Sequence, residues 1–257
     1  MKNGWRIFII FAVAMLTGIN IACTKAARVT DTLTDTTNNM TPPDSTVSPP
    51  ADSTPPADTA HAHYLALGDS YTIGQSVPED ERFPAQAVAV LLKDGIQLGQ
   101  PQYIATTGWT TVNLQNAITA QNPQGPFEAV TLLIGVNDQY QHVNIADYPG
   151  HFTQLLQKAI SLAGSRPERV FVLSIPDYSV TPFGGGDTTI RNEIDQYNAI
   201  NKSITLSYNV AYIDITPASR LAATDPSLIA NDGLHPSGKQ YALWVQKLAP
   251  VMEKALK

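Results

Sequence analysis

The sequence predicts a three-layer α/β/α sandwich around a central, mostly parallel five-stranded sheet, formed by residues 63–257. Two observations predict this fold. Short apolar runs alternate with longer segments whose apolar residues recur at helical spacing, which is the pattern of a βα protein. The short runs are apolar at nearly every position, as expected for strands that helices cover on both faces. A segment of this length suits one compact domain.

The apolar patterns give the elements in chain order. Strands are predicted at 64–67, 102–105, 130–134, 170–174 and 210–215. Helices are predicted at 83–93, 111–120, 148–163, 188–208 and 237–256. Strand–helix–strand crossovers are right-handed by default, so the strands run parallel and their carboxyl ends share one edge of the sheet. Ligand sites of such sheets lie at that edge.

Residues 1–22 have the pattern of an export signal. Lys2 and Arg6 precede an apolar run at 7–16, which is too short to span a bilayer, since a spanning helix needs about 20 apolar residues. Cys23 follows where this signal ends, and as the only cysteine it excludes an intrachain disulfide. A small residue directly before the cysteine resembles the bacterial lipobox, in which the cysteine is lipidated. The alternative is a cleaved signal followed by an incidental free or buried cysteine.

Residues 23–62 are predicted to form a disordered tether. They are rich in Thr, Pro, Asp and Ala, and almost no large apolar residue follows Met40. Such a stretch cannot bury enough apolar surface to offset its chain entropy, and its prolines keep it extended. We therefore expect an exported protein of the cell envelope, held to a membrane by a lipid at Cys23. Thr24 follows the cysteine instead of Asp, which by resemblance to enterobacterial sorting favours the outer membrane.

The charge pattern narrows the range of partners. The formal net charge is −6, and no basic run occurs anywhere in the chain. Because nucleic-acid binding needs a clustered basic surface, no nucleic-acid partner is expected. Neither a metal nor a cofactor is implied, because no ligand-like spacing to carboxylates or to the cysteine is found for His61, His63, His142 and His151. We expect a monomer.

Polar groups follow several predicted strands and would meet at one sheet edge. Ser70 follows the first strand in the run Gly-Asp-Ser, Gly108 follows the second, and Asn137 follows the third. His235 comes after the last strand and a further helical stretch, in the run Asp-Gly-Leu-His-Pro. A serine becomes a nucleophile when a histidine takes its proton and a third group orients that histidine. Ser70 and His235 are the candidates for the first two roles.

The carboxylate that would orient the histidine has two candidates. Asp232 lies three residues before His235 on a turn that contains Gly233, and this spacing can bring its carboxylate to the imidazole Nδ1. Asp214, at the end of the last predicted strand, is the alternative. Two further carboxylates, Asp69 and Asp138, are predicted to brace loops or cap helices.

Acyl transfer also needs hydrogen-bond donors aimed at the developing oxyanion, each worth about two to three powers of ten in rate. The candidates are the side-chain amide of Asn137 and the backbone N–H groups of Ser70 and Gly108. Asn137 has the alternative role of a helix cap.

The order of these runs resembles the SGNH (GDSL) hydrolase family. Gly68-Asp69-Ser70 is similar to its first block, the Gly108 segment to its second, Gly135-Val136-Asn137-Asp138 to its third, and the run from Asp232 to His235 to its fifth. The resemblance covers residues 64–250. It implies a flavodoxin-like sandwich and a serine esterase that acts through an acyl-serine intermediate. Two departures are Tyr71, where the family name has leucine, and the Thr-Thr lead before Gly108.

The acyl donor is open at the level of sequence. We expect short acyl groups, with carbohydrate acetyl esters as one class, because no long apolar run follows the second and third strands. Trp109 and Tyr140 would then stack on a sugar ring, or alternatively are packing residues. The alternatives are a lysophospholipase or acyl-thioesterase of the same family, or an idle surface lipoprotein that binds a glycan or lipid. An idle descendant would typically have lost Ser70, Asn137 or His235, and all three are present.

Overall fold

The computed structural model of the protein describes residues 62–257. The predicted export signal at 1–22, Cys23 and all but the last residue of the predicted tether lie outside the described residues, so they stay predictions. No helix within residues 62–257 is long and apolar enough to cross a membrane.

The described part of the chain alternates strands and helices. Its strands are β1 Tyr64–Gly68, β2 Gln102–Ala105, β3 Ala129–Leu133, β4 Val170–Leu173 and β5 Ala211–Ile213. Its α-helices are α1 Ser70–Ile73, α2 Phe83–Lys93, α3 Thr111–Gln121, α4 Val136–Tyr140, α5 Tyr148–Leu162, α6 Thr188–Ser207, α7 Thr216–Arg220 and α8 Gly238–Leu256. The strands and long helices confirm the predicted elements to within a few residues at each end. The short helices α1 and α4 were not predicted, and α7 lies in the helical stretch expected between the last strand and His235.

The five strands form one sheet in the order β2-β1-β3-β4-β5, and all four neighbouring pairs are parallel. This is the flavodoxin-like order, and it confirms the predicted fold class. The chain moves outward from β1 to β2 and then reverses to β3. Right-handed crossovers therefore put α2 on one face of the sheet, and α3, α5 and α6 on the other. The reversal opens a crevice beyond the carboxyl ends of β1 and β3.

The central strands carry the core. Every residue of β1, β3 and β4 is buried, whereas the edge strands β2 and β5 are only partly covered. One polar side chain in this core, Thr131, forms a 3.0 Å hydrogen bond with the hydroxyl of Tyr64. On one face α2 packs against α8, and on the other α5 packs between α3 and α6. Two helical layers thus cover both faces of the sheet, which explains the uniformly apolar strands.

The last strand is shorter than predicted because a side chain takes over its backbone partners. Ser174, just after β4, accepts hydrogen bonds from the backbone N–H groups of Ile215 and Thr216, at 2.8 and 3.0 Å. These bonds replace the sheet ladder and turn the chain into α7. As a result β5 ends at Ile213, two residues before the predicted end of the strand.

Candidate active site

The first polar group of the site sits on a sharp strand-to-helix turn. β1 ends at Gly68, and a Cβ atom there would collide with the backbone carbonyl of Leu133 and the side chain of Thr72. Only glycine therefore fits at the end of β1, beside the last residue of β3. The carboxyl group of Asp69 caps α1 by accepting a 3.0 Å hydrogen bond from the backbone N–H of Tyr71. Ser70 is the first residue of this helix, and its side chain lines a cavity at the sheet edge.

Ser70, His235 and Asp232 form one hydrogen-bonded series. The Oγ atom of Ser70 lies 2.9 Å from Nε2 of His235, and Nδ1 of His235 lies 2.7 Å from Oδ2 of Asp232. The imidazole is buried against the ring of Tyr71, with 5.4 Å between the ring centres. These three predicted side chains therefore come together although 165 residues separate Ser70 from His235.

The turn that carries the imidazole also orients the carboxylate. Oδ1 of Asp232 accepts hydrogen bonds from the backbone N–H groups of Leu234 and His235, both at 2.9 Å. Gly233 has a φ of 74°, which this turn requires and which glycine adopts without strain. Partial burial by itself would raise the pKa of Asp232. The hydrogen bonds from Ser76, the two backbone N–H groups and the imidazole outweigh burial and hold that pKa well below its usual range.

The alternative carboxylate, Asp214, lies elsewhere. It is exposed, and its Oδ1 accepts hydrogen bonds from Ser174 Oγ at 3.3 Å and from the backbone N–H of Thr216 at 3.2 Å. It makes no hydrogen bond to His235 among the contacts of the described residues. Of the two carboxylates, only Asp232 reaches the imidazole.

The three predicted oxyanion donors line the same cavity as His235. The Asn137 side chain donates one hydrogen bond to the Trp109 carbonyl at 3.0 Å, which leaves its second N–H available. The N–H groups of Ser70 and Gly108 have no acceptor within residues 62–257. Gly108 has a φ of 82°, and no atom lies near where its Cβ would be, so its backbone is open to the cavity.

Side chains from α4 hold the Gly108 loop in place. Besides the bond from Asn137, Gln141 Nε2 donates to the Gly108 carbonyl at 2.8 Å. The carboxylate of Asp138 accepts from both the backbone N–H and the hydroxyl of Thr111, at 2.9 and 2.5 Å, which joins α4 to the start of α3. Burial raises the pKa of Asp138, and the Thr111 hydrogen bonds oppose that effect. Asp138 thus has the bracing contacts predicted for it.

The cavity beside Ser70 has a volume of about 230 Å³. Three aromatic side chains, which we call the aromatic wall, form one side: Tyr140, Tyr178 and Phe183. Their ring centres lie 5.9 to 6.4 Å apart. Tyr140 and Phe183 are about half exposed, at 51% and 54%. The remaining lining residues are Ser70, Tyr71, Thr107, Gly108, Val136, Asn137, Leu234 and His235.

The aromatic wall differs in part from the sequence expectation. Tyr140 lines the cavity as expected. Trp109 does not, because it is partly buried and packs against the hydrophobic core. Sequence reasoning missed Tyr178 and Phe183, which follow β4. The rule that sites collect after strand ends points to this segment as well, but its aromatic residues carry no polar motif.

Potential metal ligands do not cluster in the described part of the chain. Within residues 62–257 no group of three or more His, Cys, Asp or Glu side chains is arranged to hold a metal ion.

A hydroxyl, an imidazole and a carboxylate in hydrogen-bonded series, placed at the carboxyl edge of a parallel sheet, define a serine hydrolase by geometry. Sequence comparison makes the class specific. Residues 66–243 match the GDSL-like Lipase/Acylhydrolase family, and the chain belongs to this family. The protein is an ester hydrolase of the SGNH/GDSL type.

Solved structures share the fold. An acetylxylan esterase from Geobacillus stearothermophilus is 19% identical, with a TM-score of 0.56 over 74% of this chain and 94% of that chain. A phospholipase A1 from Streptomyces albidoflavus is 21% identical, with a TM-score of 0.58 over 76% and 99%. A lipase/acylhydrolase from Enterococcus faecalis is 20% identical, with a TM-score of 0.56 over 76% and 97%. No curated protein matches the sequence.

A buried carboxyl next to Ser70 predicts how stability depends on pH. Burial raises the pKa of Asp69 to about 8, and the nearby Asp138 adds to the rise, while the bond from the Tyr71 N–H opposes it. The folded protein then keeps this proton up to about pH 8, whereas the unfolded chain releases it near the ordinary value of 3.8. Between pH 3.8 and about 8 the native state therefore binds more protons than the unfolded state. The free energy of unfolding then decreases as the pH rises through this range.

Asp69→Asn keeps an acceptor for the Tyr71 N–H and removes the titration. As the pH rises from about 5 to about 8, we expect the wild type to lose free energy of unfolding relative to the variant. Urea unfolding at several pH values measures it. Asp225→Asn is the matched control, because hydrogen bonds from Ser227 lower the pKa of that exposed carboxyl and its titration ends below the window. Parallel curves for the wild type and Asp69→Asn would contradict the expectation.

Proposed function

We propose that the protein hydrolyses acyl esters through an acyl-Ser70 intermediate. The observation that carries the proposal is the continuous series from Ser70 Oγ to His235 and on to Asp232, at 2.9 and 2.7 Å. Both distances are within hydrogen-bond reach, which is what proton transfer from nucleophile to base requires.

The proposed reaction follows from this geometry. His235 Nε2 takes the proton of Ser70 as Oγ attacks the ester carbonyl. Asp232 accepts a hydrogen bond from Nδ1–H, which fixes the tautomer that leaves Nε2 free and stabilises the imidazolium. The imidazolium then protonates the departing alcohol. A water molecule, activated by the same imidazole, hydrolyses the acyl-serine.

The oxyanion would be held by donors on residues that line the cavity. The backbone N–H groups of Ser70 and Gly108 and the free N–H of Asn137 are the proposed donors. Because Asn137 and the Gly108 loop are bonded to each other, little rearrangement is needed when the oxyanion develops, and such preorganised donors stabilise the transition state most.

Ser70→Ala tests the nucleophile. We expect turnover of p-nitrophenyl acetate to fall by about four powers of ten or more and fluorophosphonate labelling to disappear, because no other hydroxyl contacts His235 Nε2 among the described residues. Unchanged labelling would contradict the assignment.

The two carboxylates provide a matched comparison in the same assay. Asp232→Asn should lower kcat by about four powers of ten, and by less than His235→Ala, because it disturbs the imidazole without removing it. Asp214→Asn should leave kcat within about twofold. A larger effect of Asp214→Asn than of Asp232→Asn would refute the proposed orienting role.

We further propose that the substrate is a short acyl ester, of the carbohydrate acetyl class. The cavity of about 230 Å³ lies below the range of about 300–1,000 Å³ that is usual for ligand pockets. An acetyl group is small enough to enter it beside Ser70. The exposed faces of Tyr140 and Phe183 are then left for the alcohol, and aromatic faces attract the polarised C–H groups of a sugar ring.

The aromatic wall could equally contact a long acyl chain. Esters of different chain length distinguish a short acyl group from a long one. For p-nitrophenyl esters of two to twelve carbons, we expect kcat/KM to be highest for the shortest chains. A long chain gains about 0.8 kcal/mol per buried methylene only where an apolar channel continues, and this cavity has a volume of only about 230 Å³. A rise through eight carbons or more would instead favour a lysophospholipase or thioesterase.

Phe183→Ala tests whether the alcohol part of the substrate packs on the aromatic wall. If the alcohol packs on the wall, this variant should raise KM for an acetylated oligosaccharide about tenfold and leave p-nitrophenyl acetate turnover within about threefold. The matched control is Leu92→Ala, which removes a similarly exposed apolar side chain on α2, outside the cavity. Equal loss on both substrates for Phe183→Ala would contradict a role in holding the alcohol.

We propose, from the sequence pattern of residues 1–62, that the enzyme is exported and anchored by a lipid on Cys23, with the outer membrane as its site. Cys23→Ser should move the protein from the membrane fraction to a soluble or unprocessed form, because the acyl chains of the anchor hold it to the bilayer. Fractionation followed by immunoblotting measures this. Membrane retention that survives Cys23→Ser, with the signal still cleaved, would rule out lipidation.

A further inference from the structure

A second side chain donates to the carboxylate that faces His235. Ser76 Oγ donates a hydrogen bond to Oδ2 of Asp232 at 2.6 Å. Oδ2 is also the oxygen that lies 2.7 Å from Nδ1 of His235. One carboxylate oxygen therefore accepts from both the imidazole and a serine that lies 156 residues away in the sequence.

The backbone after α1 is bent to bring Ser76 to this position. Gly74 ends α1 in the left-handed region, with a φ of 65°, and Ser76 is left-handed again, with a φ of 68°. Left-handed backbone is unfavourable for a serine, so the contact with Asp232 is made in spite of local strain. The intervening residue, Gln75, accepts a 2.7 Å hydrogen bond from the Thr107 hydroxyl, beside Gly108. This three-residue bend thus joins the segments of Ser70, Gly108 and Asp232.

We propose that Ser76 is a positioning residue of the hydrolysis proposed above: its hydroxyl takes up part of the negative charge on the Asp232 oxygen that faces His235. The effect of Ser76 on catalysis rests on the hydrolysis proposed above. Because the hydroxyl shares the charge on Oδ2, less of that charge stabilises the imidazolium. The charged imidazole can then pass its proton to the leaving alcohol more readily.

Loss of the Ser76 hydroxyl and loss of packing around Asp232 should shift the titration of His235 in opposite directions. Without Ser76 Oγ, the carboxylate directs more charge at Nδ1 and stabilises the protonated imidazole, so His235 should titrate at higher pH. A merely loosened Asp232 would do the opposite, since a weaker contact with the imidazole disfavours its protonation. The direction of the shift therefore separates an effect of Ser76 on the charge of Asp232 from a merely structural effect.

Other titratable groups around the imidazole must be accounted for. The ring of Tyr71 lies against the imidazole, and the hydroxyl of Tyr241 donates to the Tyr71 carbonyl. Besides Asp232, the charged or titratable groups that act on these two tyrosines are Tyr178, Asp177, Asp69 and Arg82. Burial raises the pKa of all three tyrosines, so they stay uncharged near neutral pH. The pKa of Asp177 is lowered, since hydrogen bonds outweigh burial, and it stays charged. Asp69, with a pKa raised by burial to about 8, titrates within the measured range.

The experiment is an NMR titration of the His235 ring in the full chain, with the signal assigned by its absence in His235→Gln. Three substitutions at position 76 are compared, and each is repeated in an Asp69→Asn background to remove the Asp69 titration. Ser76→Ala and Ser76→Gly both lose the hydroxyl, but only glycine relieves the left-handed backbone. Ser76→Thr keeps the hydroxyl and adds a β-branch. The pH profile of kcat/KM for p-nitrophenyl acetate is measured alongside.

We expect the His235 midpoint to rise by about half a pH unit in both Ser76→Ala and Ser76→Gly. The acid limb of kcat/KM should move with it, so that kcat/KM on that limb falls by up to about threefold. The melting temperatures should diverge, with Ser76→Gly at or above the wild type and Ser76→Ala below it. Ser76→Thr should keep the wild-type midpoint in spite of lower stability.

A His235 midpoint that is unchanged or lower in both Ser76→Ala and Ser76→Gly would overturn the inference. A His235 midpoint that changes in parallel with the melting temperature across the three variants would also overturn it. The NMR titration needs no substrate. If the wild type failed to turn over any ester, the proposed function would fail while the effect of Ser76 on His235 was still measured.

Discussion

The close approach of β1 and β3 at the reversal of strand order is the constraint on which the rest of the site depends. At this point the chain turns back across the sheet, and the loops after the two strands face each other over a crevice. Gly68 lets β1 pass beside the Leu133 carbonyl, which a larger residue could not do. The turn that follows presents Ser70, and the turn after β3 presents Asn137. The proposed nucleophile and oxyanion donor are thus neighbours because two adjacent strands end at the same level.

Most polar residues around this crevice contact each other before any substrate is present. Asp138 joins α4 to α3, Asn137 and Gln141 hold the backbone of the Gly108 loop, and the Asp232 carboxylate is held by its own turn. Each bond restrains a loop that would otherwise have to order during the reaction. Electrostatic stabilisation of a transition state is largest when the donors need no rearrangement. Asp69 has one carboxylate oxygen that is buried without a partner in residues 62–257, and its raised pKa is the cost of placing a carboxyl beneath the nucleophile.

The cavity has these hydrogen-bonded polar groups on one side and the aromatic wall on the other. Tyr140, Tyr178 and Phe183 come from two different segments, after β3 and after β4, and meet only in the folded chain. The Tyr178 hydroxyl donates to Gln139 Oε1 at 2.8 Å, and Gln139 in turn donates to Glu193, so the buried ring of the wall is held by polar contacts behind it. The acetylxylan esterase and the phospholipase A1 that share this fold are named for different substrates, so the fold by itself does not determine the substrate.

The sequence by itself determined the sheet, its parallel direction and the places where polar groups follow strands, because apolar periodicity and strand-end motifs are local properties. It also pointed to Asp232, since an aspartate three residues before a histidine can form a closed turn. What the sequence left open was the choice between Asp232 and Asp214, the separation of Trp109 from the cavity, and the partners of Ser76. Each of these depends on contacts between distant segments. Ser76 lies in no motif, and only the two left-handed residues after α1 bring its hydroxyl to a carboxylate 156 positions away. Such a contact follows from the tertiary path of the chain, which no local pattern encodes.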